Sequence, residues 1–354
     1  MEKRYSVTGL MSGSSMDGVD LAYCEFSLDD GKWGYRILEA ETIPYRDDLL
    51  SKLEVACNWS RSRIDELDRK LGIYFAGLLN DFHQKHQLAP DYIASHGHTI
   101  LHDPKKGVTL QAGQGRPMAE MTGITVINDF RSEDVRQGGQ GAPLVPLGDR
   151  LLFSGYEGCL NLGGFANISC ENEKGARVAY DLCPANMALN WVAALEGQAY
   201  DRNGEMAARG RIDPAFLRAL NQLDFYAANP PKSLGREWFL EQFVPLMEQS
   251  GLQADDLMAT VAEHIALQIA AGINDAQIQS ILITGGGALN HTLIRHLMTH
   301  TQASLHIPDE SLIHYKEALI FALLGVLRIR GEINCLASVT GGKEDLSAGT
   351  IHKP

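Results

Sequence analysis

Much of what announces a large protein class is missing from this chain. Its six cysteines (Cys24, Cys57, Cys159, Cys170, Cys183 and Cys335) are scattered, with no CxxC pair and no closely spaced group. That argues against a disulfide framework and against a thiolate zinc site. No apolar run approaches the roughly 18 residues of a membrane span. The N-terminal MEKRYSVTGLMSGSSMDG has basic residues but lacks the apolar stretch of a secretory signal. Basic charge is also short: Lys plus Arg is 31 against 44 for Asp plus Glu, a net charge of −13. Proteins that bind nucleic acid or anionic membrane need a basic excess to replace counterions, so neither partner is expected. Low-complexity segments and short-period repeats are absent. The expectation is a soluble protein of a reducing cytoplasm.

Glycine, by contrast, is abundant: 35 of 354 residues, about a tenth, against roughly 7% on average. Glycine costs backbone entropy, so an excess points to tight turns or to backbone pressed against a ligand. The length suits about two domains. Residues 5–10, 19–28 and 34–43 read as strands, the first two joined by a glycine turn. Residues 47–86 carry apolar positions at helical spacing, and 91–97 and 123–130 read as short strands. A second cycle follows, with strand, Gly-Gly turn and strand over 159–170 and a further strand over 176–182. Helical stretches occupy 185–196, 213–221, 236–248 and 254–273. A strand at 280–287 ends in three glycines, then come a helix near 290–299, a short strand at 304–309 and an apolar helix at 315–330. Each half opens on a glycine-turned hairpin, which suggests a two-domain α/β protein with a ligand cleft between its halves. The QGGQGAPLVP stretch (137–146) reads as a cleft-lining loop.

Several groups invite chemistry, each with a plainer alternative. GLMSGSSMDGVD (9–20) has the backbone donors of a phosphate nest but no P-loop lysine, so it is either an anion site or an ordinary hairpin loop. Asp17 and Asp20 could hold Mg²⁺ through water or merely shape the turn. NLGGFAN (161–167) is open to the same two readings. In YDLCPAN (180–186), Asp181 ends an apolar strand, as either a general base or a helix cap. ITGGGALN (283–290) could lay a ligand on backbone at a helix start, but it is not GxGxxG. His96 and His98 (H-G-H) would share a strand face, although matching metal ligands are not evident. Arg131 is either a contact for an anionic substrate group or part of a solvated loop. Glu317 is either functional or the exposed start of a helix.

Taken together, GLMSGSSMDGVD, SHGHT (95–99), TGITVINDFR (122–131), GGQGAPLVP (138–146), NLGGFANIS (161–169), DRNGEMAARG (201–210), PPKSLGRE (230–237) and ITGGGALN closely resemble the anhydro-N-acetylmuramic acid kinases. The resemblance runs collinearly through SVTG (338–341). It implies an α/β fold of two related ribonuclease-H-like (actin-like ATPase) domains flanking an interdomain ATP cleft. Residues 1–130 would form the first domain and 131–330 the second, with 331–354 returning to the first. The implied reaction is that of a cell-wall (peptidoglycan) recycling kinase: 1,6-anhydro-N-acetylmuramic acid, ATP and water give N-acetylmuramic acid 6-phosphate and ADP.

By the same resemblance, Gly13, Ser14, Ser15, Met16, Asp17, Gly18 and Asp20 form the first phosphate loop, with Asp17 toward Mg²⁺. Asn161, Gly163, Gly164 and Asn167 form the second, and Gly285, Gly286, Gly287 and Asn290 lie on the adenosine side. Asp181 matches the base that deprotonates the attacking water. Arg131 and Glu317 fall where the family contacts the sugar, Arg131 as a partner for the lactyl carboxylate. His98 is assigned to the substrate side, where the family's HGQT reads HGHT. The family's DTGPGN likewise reads DLCPAN, keeping Asp181, Pro184 and Asn186. ATP and Mg²⁺ are the implied cofactors and a homodimer the implied assembly. The alternatives are a kinase of the same fold acting on another sugar and, from a different class, an ATP-driven chaperone or cytoskeletal relative.

Overall fold

The computed structural model describes residues 3–13, 16 and 18–354. The chain divides into two compact units, residues 1–152 with 315–354, and residues 153–314. The boundary drawn at 130/131 from the sequence thus falls at 152/153 in this division. Residues 131–152 and 315–330 join the first unit because they contact its sheet.

Among the described residues, twelve strands form two sheets. They are β1 (Lys3–Ser12), β2 (Val19–Asp29), β3 (Lys32–Ile43), β4 (Tyr92–Asp103), β5 (Val108–Ala112), β6 (Thr125–Asn128), β7 (Gly158–Leu162), β8 (Phe165–Glu171), β9 (Arg177–Pro184), β10 (Ser280–Thr284), β11 (Ser304–His306) and β12 (Thr350–His352). The first sheet runs β12-β6-β4-β1-β2-β3, with β5 on β4, and the second runs β11-β10-β7-β8-β9. In both, an antiparallel meander of three strands is extended by two parallel strands on the far side of the first. This shared order, a three-strand meander whose first strand is flanked by two successive parallel strands (β4 and β6, or β10 and β11), is the ribonuclease-H-like arrangement, present once in each unit.

The two cores follow from the sequence pattern. In the first unit, Val7 to Ser12 of β1 are all buried, as expected of a central strand covered on both faces. The helix Glu310–Arg330 lies close over it. A side chain at Gly9 would collide with the Ala318 carbonyl, and one at Gly325 would sit 2.6 Å from Ala94 of β4. Leu71, Phe75, Leu79 and Phe82 of the helix Arg61–His86 are buried in the core of the same unit, three and four residues apart. In the second unit, the helix Ala254–Asp275 buries Val261, Ile265, Ile269 and Ile273.

The altered DLCPAN segment is absorbed by this second core. Leu182 and Cys183 are buried, and a side chain at Gly272 would lie 2.5 Å from Leu182 Cδ2. The larger leucine is thus matched by a glycine on the long helix. Some elements differ from the sequence reading. The 47–86 helical pattern is interrupted at Ala56–Ser60, β4 extends to Asp103, and β5 with the helix Gly115–Thr122 fills a stretch that carried no assignment. The loop expected over 137–146 gives way to a helix at Val145.

Candidate active site

The second unit places one group of polar residues along a single row of its sheet. Asn161 of β7 pairs with Asn167 of β8 and with Thr284 of β10, and Asn167 pairs with Asp181 of β9. Residues directly opposite across antiparallel strands share a face, so Asn161, Asn167 and Asp181 stand side by side. The Gly163–Gly164 turn lies at the end of this row. Its carbonyls accept from Ala185 N (2.8 Å), Met187 N (3.1 Å) and Asn186 N (3.1 Å), which ties the turn to the start of the helix Asn186–Leu195. Asn186 Nδ2 also donates to the Leu162 carbonyl (2.9 Å).

The three-glycine segment after β10 packs on the same strand end. Gly285 has φ +82°, and a Cβ there would lie 2.7 Å from Asn161 Oδ1 and 2.8 Å from the Leu162 backbone. A side chain is excluded on both grounds. At Gly286, by contrast, the nearest atom to an added Cβ is Asn186 Nδ2 at 3.8 Å, and at Gly164 it is Met187 Cε at 3.6 Å. Both glycines are exposed, so they leave open backbone on either side of Asn186. Asn290 accepts from Leu293 N (2.9 Å) and caps the helix His291–His300.

Asp181 is held from one side. A segment running through Lys232 and Leu234 lies along β9: Asp181 N donates to Lys232 O (3.0 Å), and Leu234 N donates to Asp181 Oδ2 (2.7 Å). Among the described residues, Oδ1 accepts no hydrogen bond. Burial raises the Asp181 carboxyl above its ordinary value of 3.8, against the lowering effect of the Leu234 amide. Lys232 Nζ donates to Phe225 O (3.2 Å) and lies over the Phe225 ring (4.6 Å), anchoring the segment. Asp181 does not cap the helix Asn186–Leu195, whose cap position is Ala185.

In the first unit, a second group centres on Arg131. Its Nε and Nη2 donate to His96 Nε2 (3.0 and 2.9 Å), and its Nη1 donates to Gly141 O (2.8 Å). Gly141 has φ +67° and no room for a side chain beside Val135. Its N–H is fixed by the buried Asp134 (2.7 Å), which also accepts from Thr340 Oγ1 (2.7 Å). The glycine-rich 138–141 loop is therefore bound to Asp134. Glu317 keeps an exposed side chain, yet the protein mass crowded around it raises its carboxyl above 4.5, while Arg131 and Lys316 act to lower it. Desolvation pulls Arg131 down to about 10, opposed first by the charge of Glu317.

His98 and His96 serve different partners. The positive φ of Gly97 (+74°) accompanies a register break between β1 and β4. His98 Nδ1 bonds Ser12 Oγ (2.8 Å), Ser12 in turn bonds the Tyr45 hydroxyl, and the buried His98 ring falls to about 4. Among the described residues, no three His, Cys, Asp or Glu side chains converge as a metal site. Asp20 Oδ1 accepts from Thr42 Oγ1 (2.6 Å). Met16 N donates to Gly13 O (3.3 Å), and Gly18 is buried against the Ile43 carbonyl. Ser14, Ser15 and Asp17 lie outside the described residues.

Sequence reasoning weighed His96 only as a metal ligand with His98 and noted Asn186 only as retained in DLCPAN, and gave neither the contacts described above. A polar residue inside the apolar run 92–97 was the available signal for the first, and the amide opening a helix after Pro184 for the second.

Comparison with known proteins adds an independent line. Residues 5–354 match the family model described as anhydro-N-acetylmuramic acid kinase. Curated proteins of that name are similar over nearly their whole length. The one from Haemophilus influenzae is 34% identical, covering 97% of this chain and 96% of that protein. The Pseudomonas fluorescens protein is 35% identical over 97% and 98%, and the Rhizorhabdus wittichii protein 36% identical over 98% and 98%.

Proposed function

The chain belongs to the anhydro-N-acetylmuramic acid kinase family, and from that premise we propose that it opens 1,6-anhydro-N-acetylmuramic acid with water and transfers the γ-phosphoryl group of ATP to O6. The observation that carries the residue-level reading is Asp181: a half-buried carboxylate with a raised proton affinity, one oxygen held by Leu234 N and the other accepting no hydrogen bond among the described residues. A base of that kind takes a proton from water more readily than an ordinary surface aspartate.

In the proposed sequence Asp181 takes a proton from water, and the water oxygen bonds to the anomeric carbon. The bond from that carbon to O6 breaks, and its electron pair goes to O6. O6 then bonds to the γ-phosphorus as the bond from phosphorus to the β–γ bridging oxygen breaks, and ADP leaves. The proton on Asp181 passes to solvent. Phosphoryl transfer depends chiefly on positioning and on neutralising charge. Backbone at Gly163 and Gly164 suits a polyphosphate and backbone at Gly285–Gly287 the adenosine side, since side chains at Gly164 and Gly286 would fill the open space beside Asn186. Asn161, Asn167 and Asn290 would complete the nucleotide site.

The donor set suits Mg²⁺, which is held by one or two carboxylates and substrate phosphates rather than by a protein cage. Asp20, with Asp17, would hold it, and it would neutralise phosphate charge. Gly13 to Gly18 would serve the phosphates, with Arg131 and Glu317 on the sugar: Arg131 for the lactyl carboxylate, Glu317 for hydroxyl groups. His98, engaged by Ser12, would shape the wall of the sugar site. A cytoplasmic homodimer completes the reading.

Product analysis with the anhydro sugar, ATP and Mg²⁺ tests it. One N-acetylmuramic acid 6-phosphate per ADP is expected. ADP release without sugar, or a phosphorylated product from a different sugar only, would overturn it.

A further inference from the structure

We propose that His96, as a neutral imidazole, is the positioning residue that presets the Arg131 guanidinium and thereby selects a sugar carrying a carboxylate. The inference rests on the reading of Arg131 as the carboxylate partner.

The hydrogen bonds fix the tautomer. Arginine has only donors, so His96 Nε2, which faces Arg131 Nε and Nη2, must be an acceptor. Nδ1 then carries the proton and donates to Gly97 O (3.0 Å). The ring is buried at 4% exposure and packs on Phe321, centroids 4.6 Å apart. Phe321 is itself packed by Phe130 at 5.6 Å, so the imidazole is held by rings as well as by hydrogen bonds. Burial and the Arg131 charge both keep it uncharged, well below its usual value. A carboxylate in the same place would neutralise Arg131 and satisfy its fork internally. A neutral acceptor instead orients the guanidinium without itself offsetting the positive charge, on which Glu317 is the first influence opposing burial.

The opposite edge of the guanidinium is fixed by Gly141 O, whose loop is held by Asp134 and Thr340. Two independent restraints, one from β4 and one from the 138–141 loop, therefore set the direction of one cation. Preorganisation of this kind removes the ordering cost of a long, rotamer-rich side chain from binding.

Two conservative substitutions separate position from polarity. His96→Gln can place its carbonyl oxygen near the Nε2 position, whereas the shorter His96→Asn leaves its polar atoms nearer Nδ1. Initial rates would be measured for the anhydro-N-acetylmuramic acid substrate and for its analogue lacking the lactyl group, alongside melting temperatures. The expected result is a KM for the carboxylated sugar raised about tenfold in His96→Asn. Its kcat and its KM for ATP would change little, His96→Gln would lie within about threefold of wild type, and the analogue would be unaffected by either change. Arg131→Met serves as the control. If it abolishes the preference for the carboxylated sugar while His96→Asn keeps it, the positioning role is overturned and the Arg131 reading stands. If neither variant changes the preference, the Arg131 reading falls, and this inference with it.

Discussion

Arg131, three residues past the end of β6, and Asp181, within β9, are both half-buried charged groups, yet they are held in opposite ways. Arg131 is bonded along its fork by His96 and Gly141 O, themselves anchored by Gly97, Asp134 and Thr340. Asp181 receives one backbone donor on Oδ2 and none among the described residues on Oδ1. The difference follows from what each group is assigned to do. A binding cation gains from being fixed in direction before its ligand arrives. A general base needs an oxygen free to take a proton, and an affinity shifted toward neutrality. Burial supplies that shift at Asp181, while one amide fixes the direction of the carboxylate without saturating it.

Changes at the two groups should separate accordingly. The largest effect is expected for Asp181→Asn: a fall in kcat of about 10²- to 10⁴-fold with KM for the sugar nearly unchanged, read from steady-state rates. Full activity would remove the base from the scheme. Next, Arg131→Met should raise KM for the carboxylated sugar by about 10- to 100-fold with a smaller change in kcat. If kcat falls as far as in Asp181→Asn, the division of labour is wrong.

Gly285→Ala should lower stability by about 1–3 kcal/mol, read by denaturant unfolding, because φ is +82° and Asn161 and Leu162 crowd the site. It should weaken ATP binding more than sugar binding. The smallest effect is on the pH profile. Asp181 works unprotonated and its folded value is raised, so kcat/KM should fall as pH drops through a value above 3.8. Arg131, pulled down only to about 10, should contribute no change between pH 6 and 8. An acidic limb at or below the ordinary carboxylate value would deny Asp181 its burial effect.

Much of the fold was legible because its periodicities are strong. The buried run 7–12 of β1 and the four-residue spacing at Leu67, Leu71, Phe75 and Leu79 read directly as strand and helix, and two glycine-turned hairpins signalled a repeated architecture. Residues 108–122 were not legible. β5 is a short strand whose pattern alternates weakly, and the helix that follows opens on Gly115 with no cap bond from Gln114. Domain limits were obscured because residues 315–354 return to the first sheet, a long-range contact without a local signature.

At the candidate site, glycine clusters and Asp181 stood out by residue type. His96 did not, because its role depends on a partner 35 residues away. The H-G-H spacing suggested a shared strand face. The positive φ of Gly97 accompanies a register shift there, and the two rings have separate neighbours. The DLCPAN change lies directly beside Asp181 in the sequence. In the fold, Leu182 and Cys183 face the core, and Gly272 makes room for the leucine.

The most direct test of the central claim, that Asp181 directs water at carbon rather than at phosphorus, is a brief reaction in oxygen-18 water. The sugar product would be trapped by reduction and its label located by mass spectrometry. The expected result is label on the anomeric carbon and none on the phosphate, with Asp181→Asn suppressing both label and product. Label on the phosphate, or a full yield of labelled sugar from Asp181→Asn, would contradict it.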